Sequence, residues 1–141
     1  MDTSRLKLYI NGQWREAASG RAIDVRNPAT EETVCQVPYG GAAEAVSAVE
    51  AAAAAFPEWS GRSAWERSRC LRKVSELIRE RKDEYGRWMT LEMGKPIVEA
   101  RAEVNATADY FEWYSEEAKR VYGDIVPAHT MKKRHWVIRQ P

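Results

Sequence analysis

The chain has 141 residues, with 22 Lys and Arg against 21 Asp and Glu, and a formal net charge of +1. A balance so close to zero builds no global field to draw nucleic acid or an anionic membrane surface, and no apolar run approaches the ~20 residues that span a bilayer. The length suits one domain with a real core, and two distant cysteines, Cys35 and Cys70, behind an N-terminus MDTSRLK that lacks an apolar signal stretch, read as reduced thiols of a cytoplasmic protein.

Leu8-Tyr9-Ile10, Asn11-Gly12 and Gln13-Trp14-Arg15 spell a short hairpin, because Asn-Gly readily supplies the two positive φ angles of a type I′ turn. Ile23 to Arg26 and Val34 to Val37 read as two more strands, separated by the turn Asn27-Pro28-Ala29-Thr30. All are too short to make an independent sheet. Alanine content then predicts a helix from Ala42 to Phe56, with Ala42, Val46, Val49, Ala53 and Phe56 as its buried line and Pro57 as its end.

Ser63-Ala64-Trp65-Glu66 fits a capping box, which opens a helix of about 18 residues carrying Cys70, Leu71, Val74, Leu77 and Ile78 on its inner side. Asp83 is the expected cap of a third helix, with Tyr85, Trp88, Met89 and Leu91 inward. It ends at the corner Gly94-Lys95-Pro96, where Gly94 suits a left-handed helix end and Pro96 the first turn of the next helix. From there Ile97, Ala100, Val104, Ala108, Phe111, Tyr114, Ala118 and Val121 recur every three or four residues, one stripe of a helix about 40 Å long if it runs unbroken to Tyr122. Gly123 is its natural stop. Ile125-Val126-Pro127 and Trp136-Val137-Ile138 are extended, joined by a turn that holds Lys132-Lys133-Arg134.

Neither G-x-G-x-x-G nor G-x-x-x-x-G-K-[ST] occurs, and Gly40-Gly41 before the alanine-rich helix reads as a plain turn. His129 and His135 stand apart from each other and from both cysteines, so no zinc spacing exists. Glu99 and Glu103 read as solvated surface charge. Tyr110, Phe111, Trp113 and Tyr114 read as core and packing, and the basic run before Trp136 as the polar tip of a hairpin.

LEMGKP with the long helix after it, EWYSEEAKRVYGDIVP, INGQW, the NPAT turn and the closing WVIRQP resemble, in the same order, the N-terminal part of the aldehyde dehydrogenases, most of all the succinate-semialdehyde dehydrogenases. The resemblance covers Leu8 to Pro141. It implies an α/β fold, mostly helical in this stretch: outer helices and N-terminal β-hairpins of a dinucleotide-binding domain over residues 1–123, and the start of an oligomerisation β-arm over 124–141. The parent enzyme would oxidise a small semialdehyde, succinate semialdehyde first, to its acid with NAD or NADP. It would be a homo-oligomer joined through 124–141, without nucleic-acid or membrane partners.

By the same resemblance, the nucleophilic cysteine, the general base and the cofactor loop belong to later parts of such an enzyme. No catalytic or cofactor-binding residue is therefore carried onto this chain, which alone would bind no cofactor and turn over nothing. Cys35 and Cys70 fit structural thiols. Thr107 and Phe111 would touch the aldehyde's tail at the mouth of a substrate tunnel. The carbonyls of Val25 and Arg26 with the carboxylate of Glu92 match a structural monovalent-cation site, although the family often has Asp at that position, and an exposed carboxylate near a helix end is the equal alternative. The competing functional class is a non-catalytic helical module that pairs with full-length subunits.

Overall fold

The computed structural model describes residues 6–140. Its strands are β1 (Leu8–Ile10), β2 (Gln13–Arg15), β3 (Ala22–Arg26), β4 (Thr33–Pro38), β5 (Asp124–Pro127) and β6 (Arg134–Val137). Its helices are α1 (Ala42–Gly61), α2 (Ala64–Glu80), α3 (Lys82–Met93) and α4 (Ile97–Glu117), with a 3₁₀ turn at Ala118–Arg120. The class is mixed α/β with helix predominant, as the sequence leads one to expect. The strands pair in sequence order as three separate antiparallel two-stranded ribbons. Among the described residues no helix is long and apolar enough to cross a membrane.

The hairpin turn forms as its residues require, with φ of 53° at Asn11 and 74° at Gly12. The capping box of α2 is also in place: the Glu66 amide donates to Ser63 Oγ at 3.3 Å and Glu66 Oε2 accepts from the Ser63 amide at 2.8 Å. Gly94 closes α3 at φ 71°, and its amide donates to the Thr90 carbonyl at 2.9 Å.

Several expectations are corrected. Pro57 does not end α1, which passes through it to Gly61. The amide that proline lacks would have met the carbonyl of Ala53, and that residue lies on an exposed stretch where water can satisfy the freed oxygen. The intended buried line of α1 is not buried. Val46, Val49 and Phe56 are exposed, since α1 contacts β1 near its start and leaves the other helices to pack together. Asp83 is not a cap: Arg81 occupies the N-cap position, and Asp83 sits in the first turn, paired with Arg101 at 2.8 Å. Pro96 takes the N-cap position of α4 instead of its first turn. α4 stops at Glu117, where the chain tightens into the 3₁₀ turn, so its 21 residues span about 31 Å. Arg134 belongs to β6 and not to the preceding turn.

α4 packs along α2 and α3, and small residues are what it buries: Ala100, Val104, Ala108 and Ser115, with Ser68 and Ser75 buried on α2 and Gly86 on α3. Cys70, expected on the inner side of α2, is exposed because Ser68 and Ser75 hold that seam. The Ser115 hydroxyl is satisfied within its own helix, donating to the Glu112 carbonyl at 2.6 Å. Tyr110, Trp113 and Tyr114 are not core residues, each being more than half exposed at 67%, 66% and 53%.

Candidate functional site

Two regions bring together residues that the sequence singles out: the junction of the β3–β4 turn with the end of α3, and the outer face of α4. At the junction, Asn27 ties the turn closed. Its Oδ1 accepts from the Ala29 amide at 2.9 Å, its carbonyl from the Glu31 amide at 2.8 Å, and its amide donates to the Glu32 carbonyl at 2.9 Å. A bulge lies between Val25 and Arg26, and Glu31 takes a φ of 62°. Gly94 fits against this turn so closely that a Cβ there would stand 2.9 Å from Pro28 Cγ. The end of α3 is thereby wedged onto the NPAT turn.

Glu92 is exposed on α3, which packs on β3. Val25 is half-buried opposite Cys35 in the β3–β4 ladder, and Arg26 is exposed at the end of β3. The carboxylate of Glu92 is felt at this rung. Burial first, and then that negative charge, push the Cys35 thiol up from its ordinary range. A donor set of one carboxylate with neutral backbone carbonyls would supply a single negative charge, which suits a hard monovalent cation better than a divalent one. No cluster of three or more His, Cys, Asp or Glu able to hold a metal exists among the described residues. Thr90 Oγ1, one turn before Gly94, is buried without a hydrogen-bond partner.

The raised thiol of Cys35 runs opposite to what a nucleophile needs. The shallow cavity of about 460 Å³ it shares with Lys7 and Glu16 supplies no free cation either, because Lys7 pairs with Glu16 at 3.2 Å. At the start of α1 the Gly41 amide is taken, donating to Glu44 at 2.7 Å, and the same carboxylate, which accepts from Ala18 at 2.8 Å, puts a negative charge where an anion would sit. Glu103 pairs with Lys95, as a surface carboxylate would.

On α4, Thr107 is exposed with its hydroxyl donated back to the Glu103 carbonyl at 2.9 Å, and Phe111, one turn on, is half-buried. Neither lines the open cleft of about 350 Å³ on this helix, whose walls are Asp109, Tyr110, Trp113 and Tyr114. The Tyr110 and Tyr114 rings lie 5.8 Å apart. The i, i+3, i+4 spacing of three aromatics that the sequence offered as core was the signal for an exposed aromatic face. The inner edge of the same helix carries a ladder of carboxylates, Asp109, Glu112 and Glu116, held by Arg72 and Arg79 of α2. Sequence reasoning missed that ladder, since arginines and carboxylates 30 to 44 positions apart carry no local pattern.

Residues 14–141 match the aldehyde dehydrogenase family. The chain is 48% identical over 97% of its length to glutarate-semialdehyde dehydrogenase of Pseudomonas putida, and spans 28% of that protein. It is 45% identical, with the same two coverages of 97% and 28%, to the NADP(+) succinate-semialdehyde dehydrogenase of Escherichia coli. A crystal structure of an E. coli NADP-dependent enzyme superposes with a TM-score of 0.94 at 45% identity, over 97% of this chain and 28% of that one. The chain thus spans little more than a quarter of the length of these relatives. With nearly its whole length matched in sequence and in backbone, the chain belongs to the aldehyde dehydrogenase family.

Proposed function

We propose that this chain is the N-terminal part of an NAD(P)-dependent aldehyde dehydrogenase that oxidises a small ω-semialdehyde, succinate semialdehyde first, to its carboxylic acid in the cytoplasm. The observation that carries the reading is the likeness, at 48% and 45% identity, to relatives named for glutarate and succinate semialdehydes. When bound, the nicotinamide cofactor supplies the hydride acceptor. On this reading the nucleophile, the general base and the cofactor loop belong to other parts of the enzyme, and the chain alone turns over no aldehyde and binds no cofactor.

Its own residues have other tasks. Residues 1–123 form the outer helices and N-terminal hairpins of the dinucleotide-binding domain, and 124–141 begin the oligomerisation arm. α4 borders the substrate path, where Thr107 and Phe111 meet the aldehyde's tail. The carbonyls of Val25 and Arg26 with Glu92 hold a monovalent cation that braces the β3–β4 turn against the end of α3. The test is a chimera in which this chain replaces the matching segment of the E. coli succinate-semialdehyde dehydrogenase. NADP reduction with succinate semialdehyde is expected, and a folded chimera that oxidises no semialdehyde would overturn the reading.

A second reading has one observation in its favour. Every residue of β5 and β6 is exposed, on both faces of an isolated ribbon, and such a ribbon gains most by adding its edge to another chain's strands. A non-catalytic module that pairs with full-length subunits through 124–141 would co-elute with the intact E. coli relative. Deleting 124–141 would abolish that co-elution.

A further inference from the structure

α4 divides into three sectors. At about 100° per residue, Ala100, Val104, Ala108 and Ser115 fill a buried arc of about 80°, Asp109, Glu112 and Glu116 a charged edge of about 60° beside it, and Trp113, Tyr110 and Tyr114 an aromatic face of about 100° beyond. The fully buried positions of that arc carry short side chains. Apart from Val104 its fully buried residues are only Ala and Ser, with Ser68 and Ser75 buried on α2, while the larger Ile97 and Phe111 fall in the same arc half-buried. Short side chains at the buried positions allow close approach, and half-buried Phe111 is the one large apolar side chain of this arc in the C-terminal half of the helix.

The charged edge adds a second, directional constraint on the rotation. Arg79 reaches Asp109 Oδ1 with both terminal nitrogens, at 2.9 and 2.8 Å, and Glu112 Oε2 at 2.6 Å. Arg72 reaches the other oxygen of Glu112 at 3.5 Å and also pairs with Glu116. Glu112 is therefore shared by two arginines about two helical turns apart on α2, and the planar guanidinium of Arg79 is a fork whose geometry resists rotation of its partners. The ladder lies beyond the part of the helix that α3 supports. α3 meets α4 at Ile97 and Arg101, toward its start, whereas the rungs run from 109 to 116. Asp109 belongs both to the ladder and to the wall of the aromatic cleft.

We infer that Arg79, with Arg72 as the neighbouring rung, is a positioning residue that sets the rotation of the C-terminal half of α4 and with it Phe111, which meets the aldehyde's tail, and the aromatic face of Tyr110, Trp113 and Tyr114. The inference rests on the reading that α4 borders the substrate path. A rotation of about 20° carries a ring at the ~5–6 Å side-chain radius by about 2 Å, and misplacements of ~1 Å in a substrate-positioning element are costly. The aldehyde's tail is thus held in register by an ion-pair edge that never touches it.

The experiment uses the chimera with the E. coli relative, carrying Arg79→Gln, Arg79→Lys, Arg72→Gln, or as control Arg62→Gln, which breaks a pair with Glu58 inside one surface segment. Arg79→Gln is expected to raise KM for succinate semialdehyde about three- to tenfold with kcat within about twofold, a loss of positioning that leaves the chemical step alone. Arg79→Lys keeps the charge and recovers part of the loss, while Arg62→Gln has no effect. Raising salt from about 0.05 to about 1 M raises the KM of the unmodified chimera by a larger factor than that of Arg79→Gln, because the exposed Arg79 pairs are screened. Should Arg79→Gln not fold, Arg72→Gln removes the adjacent rung and is expected to show the same split in smaller measure. An active chimera whose KM ignores Arg79, Arg72 and salt overturns this inference alone. An inactive unmodified chimera overturns the parent reading and this inference with it.

Discussion

Replacing Gly94 by Ala separates two costs that the structure keeps distinct. At φ 71° an L-residue pays about 1–2 kcal/mol for the left-handed conformation alone. The added methyl would also stand 2.9 Å from Pro28 Cγ, an atom in a rigid ring within a turn that Asn27 holds closed, so little can move aside. Overpacking of that kind costs about 1–3 kcal/mol. The sum is about 2–5 kcal/mol, a large part of the ~5–15 kcal/mol that holds a domain together. Gly20 is the internal control, with φ 65° but nothing within 4 Å of an added methyl, so Gly20→Ala should show the conformational cost without the collision. In urea titrations of the 141-residue chain followed by helical circular dichroism, Gly94→Ala is expected to unfold at clearly lower denaturant than Gly20→Ala. Adding Pro28→Ala should restore much of the difference, a coupling read as a double-mutant cycle. Equal midpoints for the two glycine variants would refute the claim that the α3 corner is wedged against the NPAT turn.

Glu44 accepts amide hydrogen bonds from Ala18 and Gly41 that hold its carboxyl below the usual range of 4.5. A depressed folded pKa means stability fully present above the unfolded value and lost as pH falls through the folded one. Glu44→Gln should therefore flatten part of the acid limb of a stability-versus-pH curve below about 4.5, and an unchanged limb would contradict the assignment. At Gly123, a Cβ would run into the Val137 carbonyl oxygen, backbone that cannot swing away, so Gly123→Ala should unpair β5 and β6 and speed amide exchange from 124 to 137, with exchange in α4 unchanged. The Cys35 thiol, raised by burial and by Glu92, should alkylate more slowly than a free thiol at neutral pH, and Glu92→Gln should quicken it. A rapid reaction of Cys35 would reopen it as a nucleophile.

Local chemistry was legible in the sequence wherever a few adjacent residues decide the outcome. Asn11-Gly12, Ser63 with Glu66, and the Gly94 corner all form as their residue types require. Packing was legible only in part, because apolar periodicity assumes that what is apolar is buried. The buried seam of α2 is written in Ser68 and Ser75, and most of that of α4 in Ala and Ser, while Val46, Val49, Tyr110 and Trp113 lie outside. Pro57 failed as a terminator for a related reason: the cost of a missing amide depends on whether the orphaned carbonyl meets water, which no local pattern records. No local spacing records that the charge of Glu92 acts on Cys35, since the two are 57 positions apart and only the docking of α3 on β3 relates them.

The most direct measurement is NADP reduction by the purified 141-residue chain, supplied with succinate semialdehyde at concentrations far above those a complete relative needs. If these helices and hairpins are only the outer shell of an enzyme whose reacting groups lie elsewhere in the polypeptide, no NADPH forms at any substrate concentration. Sustained turnover that is lost on Cys35→Ser or Cys70→Ser would place the nucleophile in this segment and contradict that division of labour.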